Sequence, residues 1–186
     1  LHPFYDIFAH RENMEEAIKI LNQLRENSLL KDYAICGGVA LVYYIEPLLT
    51  YDLDVMFIPS EKDKDKIDVL SSIYKYLTDR GYQESKEHII IGDMPVQFIP
   101  ASDKLTKEAV EKAREINYHG QNTKVILAEY LLAIMLKTLR PKDKERIVKF
   151  VDEYNFDREL LSKILNGYAL NDIFSSLIGA HSDNAG

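Results

Sequence analysis

Between Gly37 and Val55 the chain reads GGVALVYYIEPLLTYDLDV, and no other stretch constrains the fold as tightly. The apolar run Tyr33-Ala34-Ile35-Cys36 predicts a short buried strand, which Gly37 and Gly38 interrupt. Val39 to Ile45 predicts a short apolar helix ended by Pro47. Asp52 to Ile58 predicts a second strand, closed by Pro59. Residues two apart on a strand share a face, so Asp52 and Asp54 aim together while Leu53 and Val55 aim the other way. Two carboxylates this close raise each other's pKa unless a cation lies between them. Mg²⁺ takes one or two carboxylates plus substrate phosphates, so Asp-x-Asp suits it. A strand that stops at Gly-Gly and turns into a helix leaves backbone N–H groups unpaired, and a phosphate can approach them closely. Taken singly, a glycine pair is commonly a tight connection and an acidic strand edge is commonly solvated. In this order and at this spacing they point to a nucleoside triphosphate held by a glycine turn and a metal.

Around this stretch, helical spacing of apolar residues predicts a helix from Asn13 to Leu30, capped by Asn13 with Glu15 and Glu16 in its first turn. Lys62 to Arg80 predicts an amphipathic helix carrying Ile67, Leu70, Ile73, Tyr74 and Leu77, stopped by Gly81. His88 to Ile91 and Pro95 to Ile99 flank Gly92-Asp93-Met94 and predict a hairpin. Thr106 to Ile116 reads as a helix, and Asn122 to Leu127 as a short strand or extended entry. Glu129 to Leu139 is a strongly apolar helix, and Pro141 opens the next, to about Tyr154. Asp157 to Leu165 and Asn171 to Ile178 are shorter helices. The fold expected is α+β (mixed α/β), a short mixed sheet flanked by helices. Residues 1–127 form the core with an N-terminal helix, 128–180 a helical C-terminal part of the same domain, and 181–186 a frayed tail.

Composition bounds the function classes. With 46% apolar and 28% charged residues, the 186-residue chain has the makings of one well-packed domain. The nearly uncharged run from Tyr33 to Ile45 is too short to span a membrane, and no signal peptide is expected at the N-terminus. One cysteine, Cys36, excludes an internal disulfide and fits a reducing, cytoplasmic setting; it reads as a buried small hydrophobe. The net charge of -7 disfavours non-specific adhesion to nucleic acid, and no DNA partner is expected. His2, His10, His88, His119 and His181 form no zinc-ligand pattern, and His119 before Gly120 reads as a turn residue. Hydrolase, P-loop and dithiol motifs are missing from the sequence. Tyr51 reads as a plain strand residue, with stacking on a base as the alternative. Arg140, Lys142, Lys144, Arg146 and Lys149 read as a solvated helical face that, in a nucleotide enzyme, touches triphosphate or an RNA acceptor. Lys137 on its apolar helix reads, by itself, as a snorkelling side chain.

The stretch from Gly37 to Val55 resembles the signature of the nucleotidyltransferase superfamily with the polymerase-beta-like fold: a glycine pair, a helix, then a hydroxyl residue, here Thr50, ahead of Asp-x-Asp. The later segments GDMPVQFIPASDKLTKEAVEKAREINYHG and KVILAEYLLAIMLKTLRPKDKERI are similar to the AbiEii/AbiGii-type toxin branch, so the resemblance spans roughly Tyr33 to Val151. It implies NTP as substrate and Mg²⁺ or Mn²⁺ as cofactor, held by Asp52 and Asp54. It also implies Gly37, Gly38 and Thr50 at the phosphates, Lys137 as a catalytic cation near them, and Asp143 as the acidic residue of the last motif. The implied activity moves a nucleotidyl group to a hydroxyl of a protein or RNA, within a toxin–antitoxin or abortive-infection system that brings an antitoxin or other partner protein. Two features depart from the pattern. Gln97 stands where the superfamily usually has a third carboxylate, and an amide cannot carry charge or accept a proton. Leu48-Leu49 stand where relatives often have an arginine. Glu84, Glu87 and Asp93 are the substitutes nearest in sequence to Gln97. A degenerate member that binds nucleotide without transferring it is the alternative.

Overall fold

The computed structural model describes residues 11–45, 50–62 and 68–184. The expectations placed on Pro47, Leu48-Leu49, Ile67 and the last two residues fall outside them. Among the described residues a seven-stranded mixed sheet forms the centre, in the order β3-β4-β5-β2-β1-β7-β6. The strands are β1 (Leu30–Cys36), β2 (Leu53–Pro59), β3 (Gln83–Ser85), β4 (His88–Ile91), β5 (Met94–Pro100), β6 (Arg114–Tyr118) and β7 (Gln121–Val125). Pairs β1–β2, β3–β4, β4–β5 and β6–β7 are antiparallel, while β2–β5 and β1–β7 are parallel. The helices are α1 (Arg11–Glu26), α2 (Gly37–Tyr44), α3 (Ser71–Thr78), α4 (Lys104–Glu111), α5 (Ala128–Thr138), α6 (Pro141–Glu153), α7 (Arg158–Gly167) and α8 (Asn171–Asn184). The mixed α/β architecture expected from the sequence is the one observed. No helix among the described residues is long and apolar enough to cross a membrane.

Several boundaries differ from the sequence reading, each for a local reason. Asn13 lies inside α1 rather than capping it, and α1 ends at Glu26 because Ser28 turns left-handed (φ 56°) and sends Leu30 into β1. The described part of the Lys62–Arg80 helix is only α3. Asp68 accepts the N–H groups of Leu70 and Ser71 at 3.0 and 3.1 Å and fixes the start. The helix expected from Thr106 to Ile116 stops at Glu111, and Arg114–Tyr118 is a strand instead. His119 and Gly120, at φ 46° and 85°, close it onto β7 in the doubly left-handed turn that matches strand twist. The last helix continues to Asn184, past Ile178 and into the expected frayed tail.

α5 is the central helix. Ala128 to Ala133, Met135 and Leu136 are all buried, so its apolar character on every side is that of a core helix rather than of an amphipathic one. It contacts α2, α4, α6 and α7. Polar staples tie these helices together. Glu129 Oε1 accepts the Asp157 N–H at 2.9 Å, where Asp157 caps α7. Glu108 of α4 accepts from Lys112, from Tyr130 of α5 and from Tyr168 after α7.

The hydrogen bonds from Lys112, Tyr168 and Tyr130 hold the Glu108 carboxyl down at about 2. A carboxyl depressed on folding contributes stability above its unfolded pKa and loses it as pH falls through the folded value. Glu108→Gln is therefore expected to lower the melting temperature at pH 7 by about 2–6 °C, with the gap to wild type narrowing from about pH 4 downward. Thermal melts of both proteins between pH 3 and 8 check this; a gap independent of pH rules out the charge-assisted contact.

Candidate active site

The centre of the site is the contact between the glycine turn and β2. Cys36, extended, caps α2, and Gly37 enters the helix left-handed at φ 61°. A Cβ on Gly37 would lie 1.8 Å from Asp54 Oδ2 and 2.8 Å from Asp54 Cβ, so rotating the Asp54 side chain cannot make room. A Cβ on Gly38 would lie 2.6 Å from Thr50 Oγ1. Thr50 Oγ1 donates to the Asp52 carbonyl at 3.3 Å and to Asp52 Oδ1 at 3.4 Å. Gly37, Gly38, Thr50, Asp52 and Asp54 thus converge in one place.

Asp52 lies just ahead of β2, while Asp54 sits within it. In register, Asp54 is flanked by Cys36 on β1 and by Gln97 on β5, and Gln97 by His88 on β4. Registered partners share a face, so Asp54, Gln97 and His88 form one row across the sheet. Gln97 therefore occupies the position beside Asp54 where the sequence resemblance implies a third carboxylate. Of the proposed substitutes, Glu84 registers with Ile89 and so faces the other side, Asp93 sits in the β4–β5 turn, and Glu87 lines the cleft beside Asp52. His88 Nε2 is 3.8 Å from Asp52 Oδ2 and is buried without a hydrogen-bond partner.

Burial first, and then the neighbouring Asp52, push the Asp54 carboxyl up; Lys142, Arg140 and His88 pull it down. Burial, followed by Asp54, pushes the Cys36 thiol well up, as expected for an inert buried residue. Among the described residues no group of three His, Cys, Asp or Glu side chains converges to hold a metal ion. Asp52 and Asp54 are the donors a cation would meet. Both are hard oxygen donors, and Asp52 makes ionisation of Asp54 costlier in the absence of a cation, so the pair fits Mg²⁺ or Mn²⁺ completed by phosphate oxygens.

The remaining sequence candidates lie apart. Lys137 Nζ donates to Asp103 Oδ2 at 2.8 Å. Asp103 caps α4 beyond the C-terminal end of β5, whereas Asp54 registers with Gln97 near the middle of that strand. Lys137 is thus paired at the α4 cap, past the end of β5, rather than beside Gln97 and Asp54. Asp143 is fully buried at the α5–α6 junction, where its Oδ2 accepts from Thr138 Oγ1 (3.0 Å), Arg140 N (3.0 Å) and Arg140 Nε (3.1 Å). The charge of Arg140 reaches both Asp54 and Cys36, on either side of the glycine turn. Tyr51 is not in the strand: it precedes it and is 78% exposed.

No family model matches the chain, and no curated protein is similar to it in sequence. In fold it is similar to an antigenic nucleotidyltransferase-like protein from Paracoccidioides brasiliensis, with a TM-score of 0.53 at 16% identity over 91% of this chain and 93% of that one. ANT(2'')-Ia, in complex with adenylyl-2''-tobramycin, aligns with 94% of this chain and 99% of its own at 15% identity, but with a TM-score of 0.46. At 16% identity, the likeness to the first of these establishes a shared nucleotidyltransferase-like fold and nothing finer.

Two stability measurements test the site's geometry. Gly37→Ala places a Cβ inside Asp54 and a non-glycine residue at positive φ, and is expected to cost about 2 kcal/mol or more; an unchanged urea midpoint would contradict the close approach. Asp54→Asn removes a charge that burial and Asp52 disfavour. In EDTA at pH 7 it is expected to melt about 2–4 °C higher than wild type. Because the Asp54 pKa is raised on folding, the native state holds its proton more firmly; the difference shrinks as pH falls through the carboxylate range and wild-type Asp54 protonates.

Proposed function

We propose that this chain is a metal-dependent nucleotidyltransferase that moves a nucleotidyl group from an NTP to a hydroxyl of a protein or RNA. The observation that carries the reading is the contact of Gly37 with Asp54 and of Gly38 with Thr50, which makes the phosphate-accepting turn and the acidic pair one site. Mg²⁺ or Mn²⁺, held by Asp52 and Asp54, would supply Lewis-acid polarisation of the phosphoryl oxygens. The bare turn at Gly37-Gly38 presents N–H groups to the phosphates. Thr50 orients Asp52 through its hydroxyl. Lys142 and Arg140 are the cations whose charge acts on Asp54, Lys142 the more strongly, and would face the triphosphate, while Lys137, the lysine the resemblance implies, is paired with Asp103. Asp143 is then a positioning residue, locking the Arg140 backbone and guanidinium. In the reaction the acceptor oxygen bonds to the α-phosphorus, the bond from that phosphorus to the bridging oxygen of the β-phosphate breaks, pyrophosphate leaves and the hydroxyl proton passes to water. Little covalent work falls to the protein; it positions and stabilises charge.

The sequence resemblance supports a toxin–antitoxin or abortive-infection role with an antitoxin or other partner protein, and the single buried Cys36 supports a reducing compartment such as the cytoplasm. A second reading has its own observation. With Gln97 in register beside Asp54, a protein that binds nucleotide without transferring it fits the row as well.

Calorimetric titration of the four NTPs, with Mg²⁺ and in EDTA, tests the site. Binding is expected to weaken at least tenfold in EDTA and in Asp52→Asn/Asp54→Asn. Binding that ignores both would remove the carboxylates from the reading. Metal-dependent binding with no labelled product on any acceptor would favour the non-transferring protein.

A further inference from the structure

His88 opens β4 on the face that also carries Gln97 and Asp54, and it lines a cleft of about 510 Å³ beside Asp52. Its place is fixed by the backbone. Ser85 and His88 pair across the two-residue turn Lys86-Glu87, in which Lys86 is left-handed at φ 57°, and Tyr74 Oη donates to the Glu87 carbonyl at 3.0 Å. The ring nitrogen Nε2 is buried and has no hydrogen-bond partner, an arrangement that costs stability unless something else meets it. Asp52 Oδ2 lies 3.8 Å from it. Thr50 engages the other oxygen, Asp52 Oδ1. A separation of 3.8 Å is too long for a hydrogen bond, and a protonated His88 paired with Asp52 would have closed to about 2.8 Å. It is nearer the spacing of two donors that share one cation, since bonds of about 2.1 Å at roughly 90–120° put donor atoms about 3.0–3.6 Å apart. A small side-chain rotation closes the difference.

We propose that His88 is a nitrogen ligand of the cation held at Asp52, and that the site therefore prefers Mn²⁺ to Mg²⁺. The proposal rests on the nucleotidyltransferase reading above and names the metal of that site. Gln97 brings no charge to the row beside Asp54, whereas His88, its registered neighbour, brings a lone pair. A neutral imidazole presents that pair at Nε2 when its proton is on Nδ1. Mg²⁺ takes oxygen ligands in a tight octahedron and keeps several waters, so a nitrogen donor adds little to its binding. First-row divalent ions accept imidazole as well as carboxylate, and Mn²⁺ among them still suits phosphate oxygens. Among the described residues Asp52, Asp54 and His88 do not make a closed metal cage by themselves, so phosphate oxygens and water complete the shell. The two carboxylates then balance the charge of the ion, and His88 adds a third protein donor without adding a third negative charge.

The test is electron spin-echo envelope modulation on the protein loaded with Mn²⁺ and inorganic triphosphate, which contains no nitrogen, alongside calorimetry of Mn²⁺, Mg²⁺ and NTP binding on the same preparations. Wild type is expected to show a directly bound nitrogen whose coupling changes when the histidines are isotopically labelled, a readout that needs no variant to fold. His88→Gln is expected to lose that coupling, to lose about tenfold or more in Mn²⁺ affinity, and to change Mg²⁺ affinity by less than about threefold. Asp52→Asn is expected to lose the coupling as well, because it shares the ion. Mn²⁺ bound to wild type without histidine coupling, or a coupling that survives in His88→Gln, overturns the ligand assignment. Equal affinity of wild type for Mg²⁺ and Mn²⁺ overturns the preference. With any of those results, NTP binding that still needs a divalent ion leaves the nucleotidyltransferase reading standing. NTP binding that ignores divalent ions overturns that reading, while nitrogen-coupled Mn²⁺ in the same protein upholds the His88 site.

Discussion

The site depends on one steric fact: nothing larger than hydrogen fits between the turn at Gly37 and the side chain of Asp54. A strand-to-helix turn can sit this close to a neighbouring carboxylate only if it lacks side chains and one residue accepts a positive φ. Antiparallel β1 and β2 then bring Cys36 and Asp54 into register, so the start of α2 and the acidic strand meet at a single level of the sheet. The result is a largely buried carboxylate set against the glycine turn and destabilised as an anion by its surroundings and by Asp52. Under the proposed function, such a site gives up stability when empty and would recover it on binding a cation and phosphates.

The helical part contributes through the junction between α5 and α6. α5 is anchored by burial on every side, and Leu139 breaks it in a left-handed conformation (φ 43°). Pro141 restarts the chain as α6, and Asp143, fully buried, draws Thr138 and Arg140 onto one carboxylate oxygen. An ion pair whose buried partner gathers three donors on one oxygen is costly to break, so Arg140 is held more firmly than a surface arginine would be. The same helix carries Lys142 and Arg146 to the cleft beside Asp52, so one junction sets both Arg140 and Lys142, whose charges act on Asp54.

The sequence was most legible where local chemistry decides structure. The glycine pair, the proline at the start of α6 and the β4–β5 hairpin could each be read from residue type alone. It was least legible at Arg114–Tyr118, whose charged and polar positions look like the tail of an amphipathic helix. That segment is a strand because His119 and Gly120 turn it onto β7, a tertiary pairing no local window contains. At the site, the convergence of Gly37, Gly38, Thr50 and the two aspartates followed from spacing, whereas the place of Lys137 did not. A helix pattern gives the face on which a lysine lies but not the partner it meets, and Asp103 is 34 residues away in sequence. His88 could have been found: once the hairpin turn is fixed at Gly92-Asp93, counting outward sets it opposite Gln97.

Charge is distributed unevenly between the surface and the site. A net charge of -7 repels nucleic acid and phosphates from most of the surface. Lys86, Lys142 and Arg146 reverse that sign at the cleft, and Arg140 does so near the glycine turn. Under the proposed function, a triphosphate would be drawn to Lys142 and Arg140, whose charges act on Asp54. Within about a Debye length, roughly 8 Å at physiological salt, local charges outweigh the distant acidic surface. The acidic remainder then weakens non-specific adhesion of polyanions while leaving the cations around Asp54 unscreened by it.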